Sequence, residues 1–289
     1  MNHQLLYDII VVMKVINADQ ILSAVTDLIT HSLINIESNA CTLLSQLDED
    51  NAYAKWALDQ INENIAFAKQ NNIPPCQDTG LAVFFLEVGQ DVHITGGYIE
   101  DILNQAVRQS YTQNYFRKST LDPLSRINYN DNTPAIIHTR IVPGDKLTIH
   151  FLAKGAGSEN MSALYMLTPS KSRQGIIDSV LDCVQKAGAN PCPPIIIGVG
   201  IGGNMEKACL MAKYAITRPT GTPSEDEELK ALEAEILQAV NNLGIGIQGF
   251  GGKNTAISVA VEKYATHIGM LPVAVNIQCH SVRHAKIVL

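Results

Sequence analysis

The sequence predicts a mixed α/β protein, with a helical amino-terminal region followed by layers of mixed β-sheet flanked by helices. Three observations carry that expectation. Apolar residues recur at helical spacing through the first quarter, as Ile21, Leu22, Val25, Leu28, Ile29, Leu33 and Ile34, and then as Trp56, Leu58, Ile61 and Ile65. Beyond it, short apolar runs at 81–88 and 195–199 read as buried strands between helical patterns. No linker, repeat or low-complexity segment interrupts the chain, so its 289 residues are expected to form one continuous unit.

Taken in order, 18–47 and 45–70 carry helical periodicity. The double proline Pro74-Pro75 ends it, because proline donates no N–H and fixes φ. Residues 81–88 then read as a buried strand, with 92–94 as its short neighbour across Gly89, and 97–115 as a helix. The stretch 119–134, rich in Asp, Asn, Pro and Ser, reads as a long ordered loop of the functional kind. Alternation at 136–140 and 146–152 around Pro143-Gly144-Asp145 signals a hairpin. Helices are expected at 175–186, 205–216 and 227–242, the last capped by Thr222 or Ser224, and strands at 195–199, 256–261 and 271–277.

A hydrophobic content of 46% with 17% charged residues fits a soluble globular protein. The net charge of −7, without a basic run, argues against a nucleic-acid surface or a polybasic membrane anchor. Residues 5–16 are apolar but too short to span a bilayer and lack a basic leader, which leads us to expect a cytoplasmic protein; Met13 is an alternative start. Six scattered cysteines are expected to be reduced thiols available as ligands.

The chemistry centres on Pro74-Pro75-Cys76-Gln77-Asp78-Thr79-Gly80. In an extended or turning backbone residues two apart share a side, so Cys76 and Asp78 can face one ligand; the structural alternative is a buried small thiol and a capping or turn aspartate. Cys192, in Pro191-Cys192-Pro193-Pro194, and Cys279, at a strand end before His280, share the setting of a rigid turn. Cys41, Cys183 and Cys209 fall among apolar helical neighbours instead. Three separated thiols suit an iron–sulfur cluster with one iron lacking a protein thiolate. A closed zinc site with His280 competes, although the close cysteine pairs usual for structural zinc are absent. Gly200-Ile201-Gly202-Gly203 follows a strand but fails the dinucleotide-binding spacing, so those glycines are read as close backbone packing near Cys192.

Four segments together resemble the iron–sulfur class of fumarate hydratases: 74–80, Lys154-Gly155-Ala156-Gly157-Ser158-Glu159-Asn160, Cys192-Pro193-Pro194 with 198–203, and Gly246-Ile247-Gln248-Gly249-Phe250-Gly251-Gly252. The resemblance runs from about residue 20 to the end. It is strongest to the α subunit of the two-chain form, which the L(+)-tartrate dehydratase α subunit shares. It implies a [4Fe-4S] cluster on Cys76, Cys192 and Cys279 whose open iron binds the substrate hydroxyl and a carboxylate. It further implies Asp78 and His267 as catalytic residues and Gln77, Arg117 and Gly157 as binding residues, with Arg108 and Arg126 as alternatives to Arg117. His280 and His284 are expected to support the cluster or an interface.

The reaction implied is reversible hydration of fumarate to (S)-malate, with tartrate dehydration as the alternative. A separate β subunit would complete the site in a dimer of αβ heterodimers, without nucleic acid or membrane. A structural zinc or thiol scaffold is the alternative from another class.

Overall fold

A computed structural model describes residues 13–289. Most of the apolar 5–16 stretch, with the question of the starting methionine, lies outside the described residues. The elements run β1 (Lys14–Asn17), α1 (Ala18–Ile34), α2 (Ser38–Gln46), α3 (Ala52–Asn71), β2 (Leu81–Gly89), β3 (Val92–Thr95), α4 (Ile99–Gln113), β4 (Ile136–Val142) and β5 (Leu147–Lys154). They continue with α5 (Ala156–Glu159), β6 (Ala163–Leu167), α6 (Ser172–Ala187), β7 (Ile195–Gly202), α7 (Met205–Ala215), α8 (Glu227–Asn241), β8 (Ala256–Tyr264), β9 (Leu271–Gln278) and β10 (His284–Val288). The fold is mixed α/β, as the periodicities indicate.

The amino-terminal helical region is three helices. Glu37 and Asn51 accept hydrogen bonds from the first-turn N–H groups of α2 and α3, so each side chain starts a new helix where periodicity alone reads through. Strands β10-β5-β2-β4 form one four-stranded sheet and β6-β9-β7-β8 another.

Two pairings differ from expectation. β3 pairs in parallel with β1, not with β2. β4 and β5 are not a hairpin, because β2 lies between them, parallel to β4 and antiparallel to β5. The apolar β2 is buried over most of its length and takes the central place, where both of its edges are hydrogen-bonded. Strands β1, β6 and β10 escape the sequence reading.

Packing follows from alternation along the strands. Phe84, Leu86, Ile149 and Phe151 bury one face of the first sheet against α1 and α4. Val83, Phe85 and Leu152, from its other face, join α2 and α3 residues together with Ile196 and Ile257 of the second sheet. The helices α2 and α3 therefore pack against both sheets. Odd-numbered residues of β7, Ile195, Ile197 and Val199, pack with α6 and α8.

Its even-numbered residues include Gly198 and Gly200, where a Cβ would lie 2.0 and 2.1 Å from the carbonyl oxygens of Ala212 and Ala208 in α7. The expected close packing is present, but Gly202 and Gly203 turn the chain at the end of β7 away from Cys192, with φ of 87° and 65°. Among the described residues no helix is long and apolar enough to cross a membrane.

Substitution Gly200→Ala should lower the unfolding free energy by about 1–3 kcal/mol through overpacking against α7. Urea denaturation checks this, and an unchanged midpoint would contradict the contact.

Candidate active site

The three cysteines on rigid turns come from different parts of the fold. Cys76 precedes β2, Cys192 precedes β7 and Cys279 follows β9. Because β7 and β9 are antiparallel, with Ile196 beside Gln278, the start of one and the end of the other share an edge of the second sheet. Leu81 of β2 pairs with Lys154 of β5, which sets the Cys76 loop beside the turn into α5. The two sheet ends meet through Lys154, whose buried Nζ donates to the Ile277 carbonyl at 2.6 Å and to Ser158 Oγ at 2.8 Å.

All three thiols are free. Burial pushes the Cys192 thiol up from its ordinary value, and Cys279 and Cys76 add to the shift. Cys192 is held at φ 56°, in the left-handed region that non-glycine residues seldom occupy. Its carbonyl accepts from His280 Nδ1 at 2.9 Å, while Gln248 donates from both Nε2 and its backbone N–H to the Pro193 carbonyl, at 2.7 and 2.9 Å. The glycine-rich loop 246–252 is thus the support of the Cys192 turn. That role of Gln248 was not legible in sequence, where its segment stood out only by its glycines.

Asp78 accepts from the Gly80 N–H at 3.0 Å and, through its other oxygen, from the Ala156 N–H at 2.9 Å. It serves both as a turn residue and as the cap of α5, whose own leading residue Gly155 offers no side chain. Gln77 is exposed beside it. Gly157, in the first turn of α5, faces the cysteine turn: a Cβ there would lie 3.6 Å from the Asn190 carbonyl, two residues before Cys192.

The excursion 115–134 is ordered by its own Asp and Asn side chains and tied to the site loop. The Thr79 hydroxyl donates to the Arg117 carbonyl at 3.0 Å, and Asn132 Nδ2 donates to the Gly80 carbonyl at 3.1 Å. Arg117 is therefore anchored beside Asp78 with its side chain exposed. Arg108 pairs with Asp131 and braces the excursion, and Arg126 is exposed in a tight turn.

Lys154 is nearly inaccessible to solvent, and burial draws its ammonium down to about 8, against the attraction of Glu159. Burial alone would raise the Glu159 carboxyl, but Lys154 and Lys213 together hold it below its ordinary value. Lys213 and Asn276 also bond it.

Buried polar atoms without a partner among the described residues cluster on the cysteine-bearing stretch: Asn276 Oδ1, Gln278 Oε1, Ser281 Oγ, Arg283 Nε and both ring nitrogens of His284. Gln278 Nε2 lies 3.7 Å from Cys279 Sγ. Among the described residues no three His, Cys, Asp or Glu side chains form a group suited to holding a metal ion.

His267 is not brought to this end. It follows β8 and precedes β9, at the opposite edge of the second sheet, exposed and accepting from the Gly269 N–H at 3.1 Å. The eight residues of β9 separate it from Cys279, roughly 26 Å at the rise of an extended strand. His284 opens β10, where it pairs with Leu152, two residues before Lys154, and is buried.

The chain matches the family model described as "Fumarate hydratase (Fumerase)" over residues 19–288. It belongs to that family of hydro-lyases. A protein named "Putative L(+)-tartrate dehydratase subunit alpha" from Methanocaldococcus jannaschii is 38% identical over 244 residues, 82% of this chain and 85% of the relative. The L(+)-tartrate dehydratase subunit alpha of Escherichia coli (strain UTI89) is 30% identical over 229 residues, 78% of this chain and 75% of the relative. That of strain K12 is 29% identical over 231 residues, covering 78% and 76%.

Burial draws the His284 imidazole down to about 4, with His150 adding to the shift. A folded value below the unfolded one near 6.5 means that the unfolded chain binds more protons between these limits. The contribution is complete above pH 6.5 and is lost as pH falls toward 4, a difference of about 3 kcal/mol. Urea titrations of wild type and His284→Leu across this range should show a shallower acid slope in the variant; parallel slopes would refute the assignment.

Proposed function

We propose that the chain is the α-type subunit of a [4Fe-4S] hydro-lyase that reversibly hydrates fumarate to (S)-malate. The observation that supports this reading is that topology brings three free thiols on separate loops to one end of the fold: Cys192 and Cys279 at neighbouring ends of β7 and β9, and Cys76, two residues from Asp78, on the loop beside the α5 turn. The donor set fits a cubane cluster, which takes one thiolate per iron and leaves one iron open when only three are offered. Zinc would instead draw its ligands to a single ion. The Ser281 hydroxyl, without a partner among the described residues, and Gln278 Nε2, 3.7 Å from Cys279 Sγ, are donors of the kind that the sulfurs of a cluster accept. Bound there, the cluster would supply a Lewis-acidic iron that holds the substrate hydroxyl and withdraws charge as the carbon–oxygen bond breaks.

The chain's own residues supply orientation and proton handling. Asp78 carries two N–H bonds and retains acceptor capacity on each oxygen, so it can take a proton or activate the group that does. Gln77, exposed beside it, orients the substrate by hydrogen bonding. Arg117 binds a carboxylate with the paired donors of its guanidinium, a geometry that lysine lacks. Gly157, without a side chain, lets a carboxylate approach the backbone of α5. His267 has no part in this reading within one chain.

A second, β-type subunit completes the site in a dimer of αβ heterodimers, a reading supported by relatives named as alpha subunits. Those same names favour a second substrate reading, dehydration of L(+)-tartrate, which differs from malate by one hydroxyl.

Anaerobic co-purification with the β subunit, followed by iron and sulfide analysis and turnover of malate, fumarate and L(+)-tartrate, tests both readings. On the order of four irons and four sulfides per chain are expected. Replacing Cys76, Cys192 or Cys279 by Ser should remove iron and turnover, whereas Cys209→Ser should change neither. Preference for tartrate would select the second reading, and colourless protein holding only zinc would leave the scaffold.

A further inference from the structure

Arg283 heads the fully buried side chains by size, at 1% exposure. Its guanidinium carries five N–H donors, yet among the described residues it makes one hydrogen bond, from Nη1 to the Asp78 carbonyl at 2.6 Å, while Nε has no partner. Removing a guanidinium from water is costly unless it is paired, so an apolar residue of like volume would serve stability as well or better. Its presence calls for an account other than packing.

Both ends of this bond are firmly rooted. The Arg283 carbonyl accepts from the Ala153 N–H at 3.0 Å, which fixes its backbone to β5, and the neighbouring Val282 carbonyl accepts from Glu37. On the other side, three successive carbonyls of the site loop each accept a side-chain donor: Asp78 from Arg283, Thr79 from Tyr111, and Gly80 from Tyr111 and Asn132. Arg283 alone among these donors comes from the segment that bears Cys279. A Cβ on Gly155 would lie 3.1 Å from Asp78 Oδ2 and 3.8 Å from Arg283 Nη2, so the glycine leaves the carboxylate and the guanidinium room around one point.

We propose that Arg283 is a positioning residue: its buried guanidinium clamps the Cys76–Asp78 loop to the strand end carrying Cys279, and so sets where Cys76 and Asp78 stand relative to the third thiol. The catalytic meaning of that clamp rests on the hydro-lyase reading; the clamp itself does not.

The test uses the full chain, reduced and free of iron, with iodoacetamide alkylation followed cysteine by cysteine by mass spectrometry. Arg283→Met should raise the Cys76 rate about tenfold, the worth of one charged hydrogen bond, and leave buried Cys183 unchanged. Arg283→Lys, which retains a charged donor, should return Cys76 to within about threefold of wild type. An unchanged Cys76 rate, or a rise at Cys183 equal to that at Cys76, would overturn the proposal, the latter by revealing general loosening. Should the Met variant fail to unfold cooperatively, Arg283→Gln is judged by the same two rates. The readout needs neither cluster nor turnover, so failure here is distinct from failure of the hydro-lyase reading.

Discussion

A buried ammonium group joins the two large sheets at the end that carries the loops of Cys76, Cys192 and Cys279. Lys154 closes β5, reaches across to the Ile277 carbonyl of β9 and holds the Ser158 hydroxyl of α5, with the Glu159 carboxylate 3.3 Å away. Its backbone also passes so close to Gly80 that a Cβ there would meet it at 2.8 Å, and Gly80 adopts φ 75° at that crossing. The Cys76 loop, the α5 turn and the Cys279 strand end are all positioned against this one residue. Burial opposes the charge and the three polar partners offset it; a group drawn down only to about 8 is still largely protonated at neutral pH.

The charge distribution follows the same plan. A chain of net charge −7 gathers Lys154, Arg283 and Arg117 around the Asp78 turn. Two of these cations are buried and act on the protein's own carbonyls, whereas Arg117 alone of the three presents an exposed guanidinium. Local placement, not overall charge, decides whether an acidic protein can receive a dianion.

Much of the architecture was legible in sequence. The buried strands and most helices follow from periodicity and capping, the rigid turns around Cys76 and Cys192 follow from proline placement, and the place of Cys279 follows from the end of an apolar run. Strand order was not legible, since the hairpin signal at Pro143-Gly144-Asp145 describes a local turn and cannot report that β2 inserts between its arms. His267 differs: the expected strand 271–277 already separates it from Cys279 in sequence, and its place in the site comes from the resemblance, which does not report distances within one chain. Gln248 and Arg283 act through contacts between residues far apart in the chain, 55 residues in one case and 205 in the other, and no local pattern encodes such a pairing.

The scattering of the thiols along the chain also bears on the order in which such a protein matures. Residues 76, 192 and 279 lie on loops that are brought to one end of the fold only once both sheets are docked, so a nascent or unfolded chain presents cysteines widely separated in sequence. Ligation at such a site adds almost wholly to the stability of the native state, because the unfolded state competes poorly for the metal. On the cluster reading proposed above, assembly is sequential: the polypeptide first folds into a three-thiol receptacle, and inorganic iron and sulfide enter a scaffold already formed.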